Sequence, residues 1–127
     1  MLKDFAKWLG LKEKLNAMPG TAFAHPREIW WCSLGVNVGV ETDGKNENFE
    51  RPVIIMRVYN TKSMIALPLT SKEKNDKFHH MVKTARKVSW AKLTQARVIS
   101  NKRLLRKVDV LDKDSFEKLQ KILKVFL

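Results

Sequence analysis

The residues in this chain best placed to do chemistry are polar groups at the ends of apolar runs. Arg51 precedes the run Pro52 to Tyr59. Thr70-Ser71-Lys72 follows the run Ser63 to Leu69, and Gln95 and Arg97 lie in the run that ends at Ile99. A guanidinium holds a phosphate through two parallel N–H bonds and stays charged. A threonine hydroxyl can donate to a phosphoryl oxygen. RNA cleavage through the RNA's own 2′-hydroxyl needs little more than such groups. A proton must leave the 2′-oxygen, another must reach the 5′-oxygen, and charge on the phosphorane must be stabilised. Neither a metal nor a protein nucleophile is required. Arginine is a poor proton shuttle at its ordinary pKa, so such a site leans on electrostatics. The structural alternative stays open at this point: an Arg-Pro pair that only begins a strand, and a Thr-Ser pair that only caps a turn.

Other chemistries find less support. Cys32 sits mid-run among tryptophans and reads as a small core residue. No Gly-x-Ser-x-Gly or phosphate-binding loop is present. Of the histidines, His79 and His80 are adjacent. On a strand they point to opposite faces and cannot chelate one ion together. No metal site and no cofactor is expected.

Composition bounds the rest. The chain has 127 residues, with 25 Lys and Arg against 13 Asp and Glu, a net charge of +12. Its 44% hydrophobic and 30% charged residues describe one soluble globular domain. The charge predicts attraction to a polyanion, nucleic acid before an anionic membrane. A merely lysine-rich soluble protein is the plain alternative. A single cysteine allows no intrachain disulfide and suits a reducing cytoplasm. The opening residues lack the apolar core of a signal peptide. The longest mostly apolar stretch, 29–40, is too short to span a bilayer and is interrupted by Ser33 and Asn37.

These residues must be positioned by a few short elements. Residues 2–17 read as a helix with an apolar stripe of Leu2, Phe5 and Leu9, joined by Trp8, and it stops near Pro19-Gly20. It is expected to dock on the domain rather than on a membrane. Strands are expected at 28–34, 52–59, 63–69, 78–82, 88–93 and 95–99, with 102–107 a helical turn or a strand. Between the first two lies a long loop, 35–50, with acids Glu41, Asp43, Glu47 and Glu50 and a turn at Asp43-Gly44-Lys45-Asn46. Of the adjacent Trp30 and Trp31, alternation sends one into the core. The other is expected on the N-terminal helix or a second subunit, with Trp8 as a matching surface. Either, or Trp90, could instead stack on bases. A last helix is capped by Asp114 with Glu117 three residues on, and buries Phe116, Leu119, Ile122, Leu123 and Phe126. The expected fold is α+β, a small β-barrel-like domain with a clear C-terminal helix.

Three stretches carry a resemblance. Arg27-Glu28-Ile29-Trp30-Trp31, Leu34-Gly35-x-Asn37-Val38-Gly39-x-Glu41 and Phe49-Glu50-Arg51-Pro52-Val53-Ile54-Ile55 resemble the opening of the MazF/PemK toxin family. Pro68-Leu69-Thr70-Ser71-Lys72 is similar to its second motif, and residues 95–104 to its third. Order and spacing agree across residues 27–127, while residues 1–26 form an extension outside the family core. The resemblance implies a small SH3-like β-barrel, shared with the gyrase-poisoning CcdB toxins, and a homodimer. It implies a metal-independent endoribonuclease that cuts single-stranded RNA at short sequences, leaving a 2′,3′-cyclic phosphate and a 5′-hydroxyl. It also implies a cognate antitoxin whose acidic tail blocks the RNA groove.

By position, Arg51, Thr70 and Arg97 match catalytic residues. Gln95 matches the RNA groove, with Lys72, Lys102 and Arg103 beside it. Glu41, Ser71 and Ser100 are the supporting candidates. The resemblance also implies a departure: many members carry an aspartate where this chain has Ser100, assigned as a general base in part of the family. A serine there shifts work to Arg51, Thr70 and Glu41, or marks a slow or inactive barrel that binds nucleic acid or a partner protein. A third reading is a phage-encoded or structural binding domain whose basic surface serves assembly.

Overall fold

The computed structural model describes residues 3–46 and 48–127, so Leu2 of the expected stripe and Glu47 of the loop lie outside the described residues. Its elements are α1 (Phe5–Ala17), β1 (Glu28–Ser33), β2 (Glu50–Asn60), β3 (Ser63–Thr70), β4 (His79–Lys83), β5 (Val88–Lys92), β6 (Arg97–Ser100), a 3₁₀ turn (Asn101–Arg103), β7 (Leu104–Val110) and α2 (Lys113–Lys124). The strands expected from the sequence are all present. The ambiguous segment after Ser100 is both things in succession: a 3₁₀ turn, then a strand.

All pairings are antiparallel, in the order β4-β5-β3-β2-β1-β7, with β6 on β3 as a branch. The two ends of this path, β4 and β7, do not pair, so the sheet is not closed into a barrel. The branch explains an awkward proline. Ser63 to Ala66 of β3 pair with β6, and Leu69 and Thr70 pair with β5. Pro68 falls in the gap between the two partners, where the missing N–H costs no ladder bond on that edge.

Strand β2 is buried on both faces, which is why Val53-Ile54-Ile55-Met56 reads as a continuous apolar run. Ile54 and Met56 join Leu67, Leu69 and Ala91 in a core covered by Phe116, Leu119 and Leu123 of α2. Val53 and Ile55 face the other way, onto Cys32, Leu34, Met64, Ala66 and Ile99. Helix α2 begins two residues earlier than expected. Asp112 is its cap, accepting from the Ser115 N–H at 2.9 Å, and Asp114 lies in the first turn. Asp112 has the extended backbone an N-cap requires, and its position puts the carboxylate within reach of the third helical N–H.

Helix α1 docks, but with a different face from the expected stripe. Phe5 and Leu9 are exposed, while Trp8, Leu11 and Leu15 turn inward onto Val36 and Phe49. Trp8 decides the orientation. Its ring lies 5.5 Å from that of Phe49, centroid to centroid, and presses on Gly35. Gly35 has φ +81°, and a Cβ there would sit 2.0 Å from the indole. Only glycine permits both the backbone turn and the approach. The linker after α1 is strapped by Asn101, whose Nδ2 donates to the Ala22 carbonyl at 3.1 Å.

Trp8→Ala removes the largest side chain of this small cluster and is expected to cost about 3 kcal/mol in urea unfolding. Phe5→Ala on the same helix is expected to stay within about 0.5 kcal/mol. Equal costs for the two would contradict the docking face.

Candidate active site

The register of β2 and β3 builds the site. Val53 pairs with Pro68 and Ile54 with Leu67, so the same register carried two residues further sets Arg51 opposite Thr70. Both stand at the sheet's end, where the ladder runs out. They line a small pit of about 110 Å³ together with Ser71, Glu50, Lys45 and Lys87. The guanidinium of Arg51 is anchored by backbone carbonyls, Nε to Asp43 at 2.8 Å and Nη1 to Leu69 at 3.3 Å. Those two bonds use two of its five N–H donors, leaving three for a ligand. Burial pulls the Arg51 pKa below its ordinary value, and Asp43 pulls the other way. The Thr70 hydroxyl accepts from the Lys72 N–H at 3.2 Å. Its own proton is therefore available to donate.

Gln95, Arg97 and Glu41 come together elsewhere, around a larger polar recess of about 430 Å³. Arg97 pairs with Ala66, four residues before Thr70 on β3, or about 13 Å along the strand. Here Gln95 fixes the loop, its Oε1 accepting from the Thr42 N–H at 3.1 Å, and Glu41 accepts from the Val38 N–H at 2.8 Å. Ser100, Lys102 and Arg103 lie at a third place, against α1. Ser100 caps the 3₁₀ turn, Lys102 donates to the Asn16 carbonyl at 2.8 Å, and Arg103 donates to the Ser33 carbonyl at 3.1 Å with its guanidinium 5.8 Å from the centre of the Trp8 ring. The side chain of Lys72 is exposed.

The structure adds groups that the sequence did not single out. Lys92 on β5 is half-buried and crowded by Arg51, Lys74 and Lys45; burial, then these like charges, lower its pKa. Trp31 lines both the pit and an adjoining apolar recess of about 260 Å³, which also share Pro52, Leu69 and Lys87. Arg106 covers its ring at 5.1 Å and is held by Glu50 at 3.2 Å. So Trp31 does not pack on α1, and Trp30 is the inward one of the pair, half-buried and packed on the core that holds Cys32 and Leu34, with its Nε1 donating to Glu28 at 3.1 Å. Only the β3–β5 pairing brings Lys92 near Arg51. A lysine two places past Trp90, on the same face of β5, was the one available signal.

Cys32 is fully buried and its thiol is pushed up to about 12, mainly by burial. His79 is bonded to Asp76 at 2.7 Å. Among the described residues, no three His, Cys, Asp or Glu side chains form a group that could hold a metal. No helix among them is long and apolar enough to cross a membrane.

A family model described as the PemK-like, MazF-like toxin of type II toxin–antitoxin systems matches residues 25–127. No curated protein matches the sequence. Among solved structures, MazF from Deinococcus radiodurans superposes with a TM-score of 0.69 at 20% identity, over 83% of this chain and 96% of that one. The MazE–MazF structure from the same organism gives 0.63 at 15% identity, over 83% and 95%. A mycobacterial endoribonuclease in complex with its cognate antitoxin gives 0.63 at 11%, over 81% and 93%. At these identities the likeness concerns the fold: an α+β fold with a seven-stranded antiparallel sheet and a C-terminal helix.

Two outcomes are expected. Lys92→Met relieves the crowding, so the melting temperature rises while heparin retention falls. The gain is present below the lowered folded-state pKa of Lys92 and fades as pH climbs towards the ordinary 10.5, because the unfolded chain holds that proton longer. A native-state thiol assay should leave Cys32 unmodified until the protein is unfolded.

Proposed function

The chain belongs to the PemK-like, MazF-like toxin family of type II toxin–antitoxin systems, and from that premise we propose that it is an endoribonuclease acting on single-stranded RNA. The observation that carries this reading is the pit in which Arg51, with three N–H donors to spare, stands opposite the proton-donating hydroxyl of Thr70. A phosphodiester seated there receives bidentate N–H bonds from Arg51 and an O–H bond from Thr70, and both strengthen as charge builds on the phosphorane. The 2′-oxygen attacks the adjacent phosphorus, and the bond from phosphorus to O5′ breaks as O5′ takes a proton from solvent water. The products are a 2′,3′-cyclic phosphate and a 5′-hydroxyl. The proton leaving the 2′-oxygen needs an acceptor. Among the described residues the pit has one carboxylate, Glu50, whose Oε2 is held by Arg106 and whose Oε1 carries no hydrogen bond. No metal enters this scheme.

The apolar recess beside the pit, walled by Trp31, suits a base next to the cut phosphate. Gln95, Arg97 and Glu41 around the polar recess suit the polar edge of another base, or a further phosphate. A toxin of this kind has a cognate antitoxin. Solved relatives of the fold include one in complex with its antitoxin, and the +12 charge favours an acidic segment as the blocking piece. A homodimer and a cytoplasmic setting complete the reading.

One observation favours a second reading, in which the chain binds RNA or a partner without cutting. Ser100 takes the place of the family's common aspartate and is used as a turn cap, beside α1 rather than beside Arg51.

Long RNA incubated in EDTA separates the two. The nuclease reading expects fragments with 5′-hydroxyl ends, a loss of about 100-fold or more in Arg51→Ala and about 10-fold or more in Thr70→Ala. Tight binding by the folded protein without cuts, across varied RNAs, would favour the second reading and sink the first.

A further inference from the structure

Helix α1 lies ahead of the residues that match the family, yet it makes direct contact with the loop that walls the pit. The ammonium of Lys3 donates to the carbonyls of Asn37 at 2.7 Å and Gly39 at 3.0 Å and pairs with the Asp43 carboxylate at 3.1 Å. The same carboxylate accepts from the Asn37 N–H at 2.7 Å. The Asp43 carbonyl is the acceptor for Nε of Arg51. Three links therefore run from the segment just ahead of α1 to the guanidinium: Lys3 to Asp43, Asp43 side chain to its own backbone, and that backbone to Arg51. A second hold acts at the root of the loop. There the Leu34 and Gly35 N–H groups both donate to the Phe49 carbonyl, at 2.9 and 3.1 Å, and Trp8 is wedged against Gly35 and Phe49.

We propose that α1 with the residues leading into it is a brace for the active site, in which Lys3, acting through Asp43, is a positioning residue for Arg51. The physical case rests on where the carbonyl sits. Asp43 belongs to a loop rich in glycine, with Gly35 and Gly39 at positive φ, and by itself such a loop samples many conformations. Arg51 takes its orientation from that loop, so any freedom of Asp43 is passed to the group that must meet the phosphate. Lys3 closes three acceptors around one ammonium and removes that freedom. The half-exposed ion pair adds little to overall stability. Its effect falls on geometry.

The inference rests on Arg51 being the phosphate-binding group of the proposed nuclease, so its test has an arm that does not need cleavage. In the full chain, Lys3→Met is compared with Lys3→Arg, which restores a cation, and with Lys7→Met, which removes the same charge from an exposed site on α1. The side-chain Nε–H of Arg51, followed by nitrogen-15 NMR, is expected to exchange about tenfold faster in Lys3→Met. It should stay close to the original in Lys7→Met and recover in Lys3→Arg, while amides of β2 and β3 keep their protection. In the cleavage assay, kcat of Lys3→Met is expected to fall about tenfold with KM little changed, and the melting temperature to move by no more than about 2 °C. Unchanged exchange at Arg51 overturns the brace. Faster exchange with an unchanged kcat overturns the positioning role and leaves the nuclease standing. If the unaltered protein cuts no RNA, the nuclease reading falls, and exchange at Arg51 still decides the brace.

Discussion

The pairing of β2 with β3 is the constraint on which the rest of this structure depends. Both strands bury alternate residues into two different cores, Ile54 and Leu67 on the side of α2, Val53, Ile55, Met64 and Ala66 on the other. A slip of one residue would exchange the two sets and leave both cores filled with the wrong shapes. The register is therefore fixed by packing across the middle of the strands, and the polar residues at their ends follow. Arg51 meets Thr70 because several apolar pairs further in have no other arrangement. The remaining strands attach to this pair directly, or through β1 and β5. β1 contributes Trp31, β5 contributes Trp90 and Lys92, and the β3 edge shared by β5 and β6 keeps Thr70 and Arg97 apart.

Charge is distributed over this frame in two distinct ways. Arg103, Lys102 and Arg106 spend their donors on carbonyls, a carboxylate or aromatic faces of the protein itself. They belong to the fold. Arg51, Lys92, Lys74 and Lys45 instead crowd together at the sheet's end, with the pKa of Arg51 and of Lys92 lowered. Concentrating like charge on half-buried groups opposes folding, and an anion reverses that opposition when it binds. The excess of +12 thus resolves into a structural share and a share crowded at the sheet's end beside Arg51.

The N-terminal extension changes how the loop should be viewed. A segment of this length with several glycines would ordinarily be mobile. Here it carries its own hydrogen bonds, from Gly44 N–H to the Gly35 carbonyl and between Lys45 and Glu50, while Trp8 of α1 holds it at its root and Lys3, just ahead of α1, near its tip. The aromatic and ionic contacts come from residues widely separated in the chain, and none of the individual side chains would reveal the arrangement alone.

What the sequence determined by itself was local. Apolar alternation and turn residues placed the first six strands within a residue or two, and the strong stripe of α2 identified its buried face, because these signals come from neighbours along the chain. The motif residues Arg51, Thr70, Gln95 and Arg97 were legible for the same reason. Tertiary structure decided which of them meet. It put Arg51 with Thr70 and gave Arg97 and Gln95 a separate recess. It drew Ser100, Lys102 and Arg103 to α1, and left the sheet open where closure had been expected. It also turned Trp8 inward in place of Phe5 and Leu9, since α1 has only a weak stripe and its face was chosen by what it could fit. That was Gly35, where the missing Cβ leaves the space the indole fills, and a fit between residues 8 and 35 is not written in either residue's own neighbourhood.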